Sequence, residues 1–209
     1  MRITISTLLP ALREIGRDFY TRGWVLGTSG NFSAVLSRDP LRLAITASGV
    51  SKGAIGPGDL LTIGPDGGTV AHTKRKSARR PSAEAHLHVT IARMRGASAI
   101  LHTHSVWSTM LSELHASRRG LALSGLEMLK GLEGVATHQH SEWLPILEND
   151  QDMPRLARRL EATLNEFPAA HGFLLRGHGL YTWGADLAQA RRHVEIFEFL
   201  LETIGRMQK

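Results

Sequence analysis

Three histidines carry the first chemical signal in this chain. His102 and His104 lie one residue apart in Leu101-His102-Thr103-His104-Ser105, at the end of an apolar run, and His178 lies in Arg176-Gly177-His178-Gly179-Leu180. Two imidazoles so spaced at a strand end share a face, because successive side chains alternate. A third imidazole completes the set that a catalytic divalent ion takes, with one position left open for water or substrate. The chain holds 11 histidines and no cysteine. Chance trios are therefore easy to assemble, and thiolate sites are excluded. Taken alone, His102 and His104 read equally well as half-buried histidines satisfied by hydrogen bonds. His178 sits between glycines that let a ligand approach closely, and packing explains it less easily.

Other residue groups could work beside such an ion. Gly27-Thr28-Ser29-Gly30-Asn31 and Thr46-Ala47-Ser48-Gly49 combine small hydroxylated residues with glycine, a composition that aims N–H groups and hydroxyls at an anion. Pro81-Ser82 opens a predicted helix and adds donors helped by the helix dipole. Each of these is also a plain turn, and none matches a nucleotide-binding Gly-x-x-x-x-Gly-Lys loop. Two glutamates are candidates for acid–base work. Glu84 follows Ser82 by two residues, and Glu127 lies in Gly125-Leu126-Glu127-Met128-Leu129-Lys130-Gly131. The apolar neighbours of Glu127 predict a carboxyl pushed up toward neutrality. The plain alternative for either is a solvated surface carboxylate.

The elements that must position these residues follow from periodicity. Apolar Leu8, Leu9, Leu12, Ile15 and Phe19 at helical spacing predict a helix over 6–22, stopped by Gly23. Short β-favouring pieces at 32–36, 41–46 and 60–63 read as strands and hairpins. A helix over 83–95 capped by Ser82, a strand over 98–102 and a helix over 106–115 follow. His86 and His88 fall within the first of these two helices. After a less regular middle come a helix over 152–167, strands over 172–176 and 180–183 around the Gly-His-Gly turn, and a closing helix over 186–207. No repeat or composition break divides the chain, so one domain over 1–209 is expected, of α+β or three-layer α/β/α type.

Composition bounds the rest. The chain has 209 residues, 42% hydrophobic and 21% charged, enough to bury a core in one domain. No apolar run approaches a membrane span, and the N-terminus is a poor signal peptide, so a cytoplasmic protein without a membrane partner is expected. The net charge of +6 is local, since Lys74, Arg75, Lys76, Arg79 and Arg80 contribute five of the charges. Aromatic residues do not interleave with that run, as a nucleic-acid stacking platform would require. It reads as a solvated loop and not as a nucleic-acid patch, with attraction of an anionic small substrate as a third reading.

Taken together, Gly-Thr-Ser-Gly-Asn at 27–31, Thr-Ala-Ser-Gly at 46–49, Pro-Ser-Ala-Glu at 81–84, His-Thr-His at 102–104 and Gly-His-Gly at 177–179 resemble the class II aldolase family. The resemblance runs from about residue 6 to 207. Within it, Glu127–Gly131, Pro145–Asn149 and His178–Gly184 resemble the methylthioribulose-1-phosphate dehydratase branch. It implies an α/β fold of three layers, α/β/α, with a central mostly antiparallel sheet. It also implies a homotetramer with active sites between subunits and one zinc per subunit on His102, His104 and His178. A phosphorylated ketose would place its phosphate against Gly30, Asn31, Ser48, Gly49 and Ser82. Two positions depart from the family: Ala83 replaces a second serine, and Ala47 stands where proline is common. Glu84 matches the acid–base glutamate of the aldolases and Glu127 the one the dehydratases use. The expectation is therefore dehydration with Glu127 as principal acid–base and Glu84 in support. Sugar-phosphate aldolase or epimerase chemistry on the same scaffold is the alternative, and a non-catalytic zinc module is a more distant one.

Overall fold

Eight strands form one sheet in this computed structural model, which describes residues 3–70 and 79–208. Most of the basic run, residues 74–78, lies outside the described residues. The strands are β1 (Asn31–Arg38), β2 (Leu41–Thr46), β3 (Leu60–Ile63), β4 (Ala99–Thr103), β5 (Gly120–Ser124), β6 (Ser141–Leu147), β7 (Gly172–Leu175) and β8 (Gly179–Gly184). Their order across the sheet is β3-β2-β1-β4-β8-β7-β6-β5. Neighbours are antiparallel except β6 and β7, which run parallel. The mostly antiparallel sheet expected from the resemblance is the one found.

Strand alternation gives the sheet two apolar faces, and helices cover both. Ile100, Phe173, Leu175 and Tyr181 face α2 (Ala85–Met94) and α4 (Met153–Glu166), against Leu87, Ile91, Leu156 and Leu160. On the other face, Phe32 and Leu101 meet Leu12, Ile15 and Phe19 of α1 (Ile5–Thr21). Further along that face Leu144, Leu174 and Leu180 meet Leu111 of α3 (Val106–Leu114) and Phe197, Leu200 and Leu201 of α5 (Leu187–Met207). Each such fully buried side chain contributes roughly 1.5–3 kcal/mol of hydrophobic stabilisation before chain entropy is counted. Thr4, Ser105, Asp152 and Asp186 cap α1, α3, α4 and α5 through their side chains.

Two differences from the sequence reading bear on function. The irregular middle contains β5 and β6, whose Leu121, Leu123, Leu144 and Ile146 are buried on the sheet. Their alternation is interrupted by Pro145 and Trp143, which hid the pattern. The second difference is the start of α2, which begins at Ala85 and not at Ala83, with Glu84 in the cap position. Ser82 instead accepts a hydrogen bond from the Glu84 N–H at 3.3 Å and so shapes the turn that aims Glu84.

Candidate metal centre and active site

The metal-ligand candidates converge where β4 and β8 pair. His102 faces Tyr181 in the register of these strands, and its ring stacks on the tyrosine at 3.8 Å with only 11° between planes. His104 leaves the end of β4 with its N–H on the Trp24 carbonyl at 2.7 Å. His178 occupies the turn into β8. Gly179 is required there, since a Cβ at this position would overlap the Thr103 carbonyl oxygen. The three Nε2 atoms lie 2.7 Å (His102 to His104), 3.1 Å (His104 to His178) and 3.3 Å (His102 to His178) apart.

This arrangement fits a divalent cation. The Nδ1–H of His102 donates to the Leu180 carbonyl at 2.9 Å, so its Nε2 turns a lone pair toward the other two rings. Burial pushes the His102 pKa well below its ordinary value, and the neighbouring His104 and His178 push it further. His104 is lowered to about 4 by burial, with His178 and Lys52 adding to it, and His178 is lowered by burial against the charge of Glu84. Neutral imidazoles whose lone pairs meet repel one another, and a shared cation resolves that conflict. Tetrahedral zinc with bonds of about 2.0–2.1 Å sets its nitrogens about 3.3 Å apart, close to the separations found. Among the described residues these three form the one His/Cys/Asp/Glu group close enough to hold an ion.

Glu84 stands against the same point. Its Oε1 lies 3.2 Å from His178 Nε2 and its Oε2 3.7 Å from His102 Nε2. Asn31 donates from Nδ2 to Glu84 Oε2, and to Ser82 Oγ at 3.1 Å. A residue that sequence reasoning passed over fixes this amide: His88 is fully buried, donates from Nε2 to Asn31 Oδ1 and accepts from Ser33 Oγ at 2.7 Å. Burial lowers its pKa to about 3, so the ring stays neutral and holds one tautomer. The spacing of Glu84 and His88, one helical turn, was the available signal. Behind the metal strand, Thr103 donates to buried Glu198 of α5 at 2.7 Å, whose carboxyl burial pushes up to about 7.

The two glycine turns meet beside the histidines. A cavity of about 170 Å³ is lined by Gly30, Asn31, Ser48, Gly49 and Ser82, with Glu84 and His104 at its inner end. Ala47 and Ser48 spend their N–H groups on the carbonyls of Asp59 and Arg80, at 2.8 and 2.9 Å. The N–H groups of Gly30 and Gly49 have no partner among the described residues, and both glycines line this cavity. Gly30 is left-handed (φ +70°), and a Cβ there would come within 2.5 Å of the His102 carbonyl oxygen. The cradle is thus packed directly on the metal strand.

Glu127 differs from its expected setting. A short 3-10 turn over Glu127–Gly131 buries Leu129 and turns the carboxylate outward, 71% exposed. Lys130 at 2.7 Å and His138 at 3.6 Å hold its pKa below the ordinary carboxylate value, where the sequence predicted a rise. Apolar neighbours in sequence did not become apolar neighbours in space. Glu127 does not line the cavity beside the histidines within one chain.

A mixed sheet between helical layers carries, at one strand end, three imidazoles that could hold a metal ion, with a small cavity lined by glycine turns beside them. The chain belongs to the family described as Class II Aldolase and Adducin N-terminal domain, which matches residues 11–204. It is 42% identical over 200 residues to the methylthioribulose-1-phosphate dehydratase of Sorangium cellulosum (strain So ce56), covering 95% of this chain and 92% of the relative. The protein of the same name from Pseudomonas savastanoi pv. phaseolicola is 44% identical over 196 residues, covering 93% and 92%. Among solved structures, L-fuculose-1-phosphate aldolase from Thermus thermophilus shares the fold with a TM-score of 0.74 at 24% identity, covering 98% of this chain and 97% of that one.

Proposed function

We propose that this chain is a cytoplasmic hydro-lyase of methionine salvage that converts 5-methylthioribulose 1-phosphate to 5-methylthio-2,3-dioxopentyl 1-phosphate and water. The observation that carries the reading is the convergence of three Nε2 atoms and Glu84 on one point beside an anion cradle. Relatives 42–44% identical over nearly the whole chain support the choice of substrate. A divalent ion on His102, His104 and His178, zinc in this proposal, supplies a Lewis acid for the carbon-2 carbonyl when bound.

The chain's own residues perform the rest. Gly30, Asn31, Ser48, Gly49 and Ser82 hold the phosphate and so fix which carbons face the histidines. A carboxylate takes the proton from carbon 3 and returns a proton to the carbon-4 hydroxyl, which leaves as water; the enol then ketonises. Glu127 is the principal acid–base in this proposal and Glu84 orients the substrate beside it. Glu127 must then come from a neighbouring subunit of a homotetramer. The apolar stripe Val106, Met110 and Leu114 on α3, each 55–65% exposed in the single chain, supports such an assembly. This stripe begins two residues after His104.

A second reading, aldol cleavage of a related sugar phosphate, is favoured by one observation: Glu84 and not Glu127 stands at the histidines within the chain. Incubation with methylthioribulose 1-phosphate, with fuculose and ribulose phosphates as controls, separates the two. The diketone is the expected product. Cleavage of the controls with no diketone formed would establish the aldolase reading instead.

A further inference from the structure

One buried cation in the site was not singled out in the sequence and has no role in the chemistry above. Lys52, in the short turn Lys52–Ala54 after the second glycine turn, is only 1% exposed. Its Nζ donates to the Thr28 carbonyl and to the Val50 carbonyl, both at 2.7 Å. Thr28 belongs to the first anion turn and Val50 follows the second, so one ammonium ties the two together. Lys52 also lines the cavity that these turns enclose.

An ammonium carries three donors, and two carbonyls account for two of them. Among the described residues no carboxylate lies within 4.0 Å of this nitrogen. Glu84 acts on it only as a more distant charge. A buried charge without a contact counter-ion is costly, and native structures retain one where a ligand or partner completes it. Burial lowers the lysine pKa to about 8, against the opposing charge of Glu84, which leaves it mostly protonated at neutral pH. The surrounding wall includes the Ser48 and Ser82 hydroxyls and the Gly30 and Gly49 backbone, which suit an anion, with the Glu84 carboxylate also on the lining.

We propose that Lys52 is a substrate-binding residue whose ammonium neutralises the phosphate dianion from the floor of the cradle while fixing the spacing of its two turns. The proposal rests on the phosphate seating given above and adds to it a full positive charge, which no other described residue lining the cavity carries. A ligand of equal shape without the anionic group would leave this charge uncompensated, so Lys52 selects phosphorylated over unphosphorylated ketoses.

The test uses inorganic phosphate as probe, titrated by calorimetry into the metal-loaded wild-type protein, Lys52→Met and Lys52→Gln. Methionine keeps the volume without the charge, and glutamine keeps N–H donors for the carbonyls without the charge. The expected result is phosphate binding by the wild type and roughly 10- to 100-fold weaker binding by both variants, with unchanged metal content and a matching rise in KM. Equal binding in wild type and variants would overturn the role of Lys52 while sparing the cradle. Absence of phosphate binding in the wild type would overturn the seating and the Lys52 proposal with it. Should either substitution unfold the chain, the wild type labelled with 15N-lysine gives a second measurement. The chain has five lysines. A phosphate-dependent shift of the buried ammonium resonance is expected, and an unmoved resonance at saturating phosphate would refute the contact.

Discussion

Glu127→Gln tests both the chemistry and the assembly in one series. The side chain is 71% exposed and its ion-pair partners among the described residues are Lys130 and His138, so the substitution changes fold stability by about 0.5 kcal/mol or less. Removal of a general acid–base lowers the rate roughly 10²- to 10⁴-fold, or about 3–5 kcal/mol of barrier. Because Glu127 does not line the cavity of its own chain, the proposed role requires it to serve a neighbour's site. Glu127→Gln and His104→Ala subunits, co-expressed in equal amounts with different tags, then complement each other. A working site needs intact histidines from one subunit and an intact Glu127 from the next, a combination met in about a quarter of sites when mixing is random. Diketone formation per subunit, alongside metal content, therefore recovers to about a quarter of wild type from two nearly dead parents. No recovery in assembled mixed oligomers would refute the delivery of Glu127 across an interface. A fully active Glu127→Gln parent would refute its role altogether.

Gly30→Ala forces a left-handed alanine, which costs about 1–2 kcal/mol, and drives its Cβ onto the His102 carbonyl. Lower thermal stability and a raised KM are expected together, measured by melting curves and steady-state kinetics. Met110→Asp places a charge on the apolar stripe of α3; light scattering should show a smaller oligomer and assays a loss of activity. Glu142 gives a pH signature. Burial pushes its carboxyl up, but hydrogen bonds from His171 and His140 more than offset this and its pKa is lowered. Burial pushes His171 down, and Glu142, helped by the Glu133 carbonyl and charge, more than restores it, leaving it raised. The lowered acid stabilises the fold above its ordinary value of 4.5, and this is lost as pH falls through the folded value. The raised base stabilises below 6.5, and this is lost as pH rises through the folded value. Glu142→Gln should therefore cost most between these two pH values, about 1–3 kcal/mol, read as a pH-dependent gap in melting temperature.

How far the sequence reached depended on whether the signal was local. The histidine cluster was legible because His102 and His104 share one strand end and His178 lies between two glycines, one left-handed and the other pressed against the Thr103 carbonyl. The glycine turns were legible because Gly27, Gly30 and Gly49 take left-handed backbone that favours glycine. Glu127 was misjudged in its setting because neighbours along the chain say little about a residue in a 3-10 turn, where the next side chain faces elsewhere. His88 and Lys52 were missed for the opposite reason. Their importance comes from partners far along the chain, Asn31 and Ser33 for His88 and Thr28 for Lys52, brought close by packing of α2 on β1 and of one turn on another. Strands β5 and β6 were hidden by Pro145 and Trp143, which disguise an otherwise ordinary alternation.

The ligands of the centre sit on two strands that are already neighbours, His102 opposite Tyr181 and His178 in the turn that enters the same strand. An ion placed there closes almost no new loop, because backbone pairing, the Tyr181 stack and the Leu180 hydrogen bond hold the rings beforehand. Little of the binding energy is diverted into organising the chain, unlike a zinc finger that folds only around its metal. Substitution at one of the three histidines is therefore expected to weaken the hold on an ion while leaving the surrounding sheet intact.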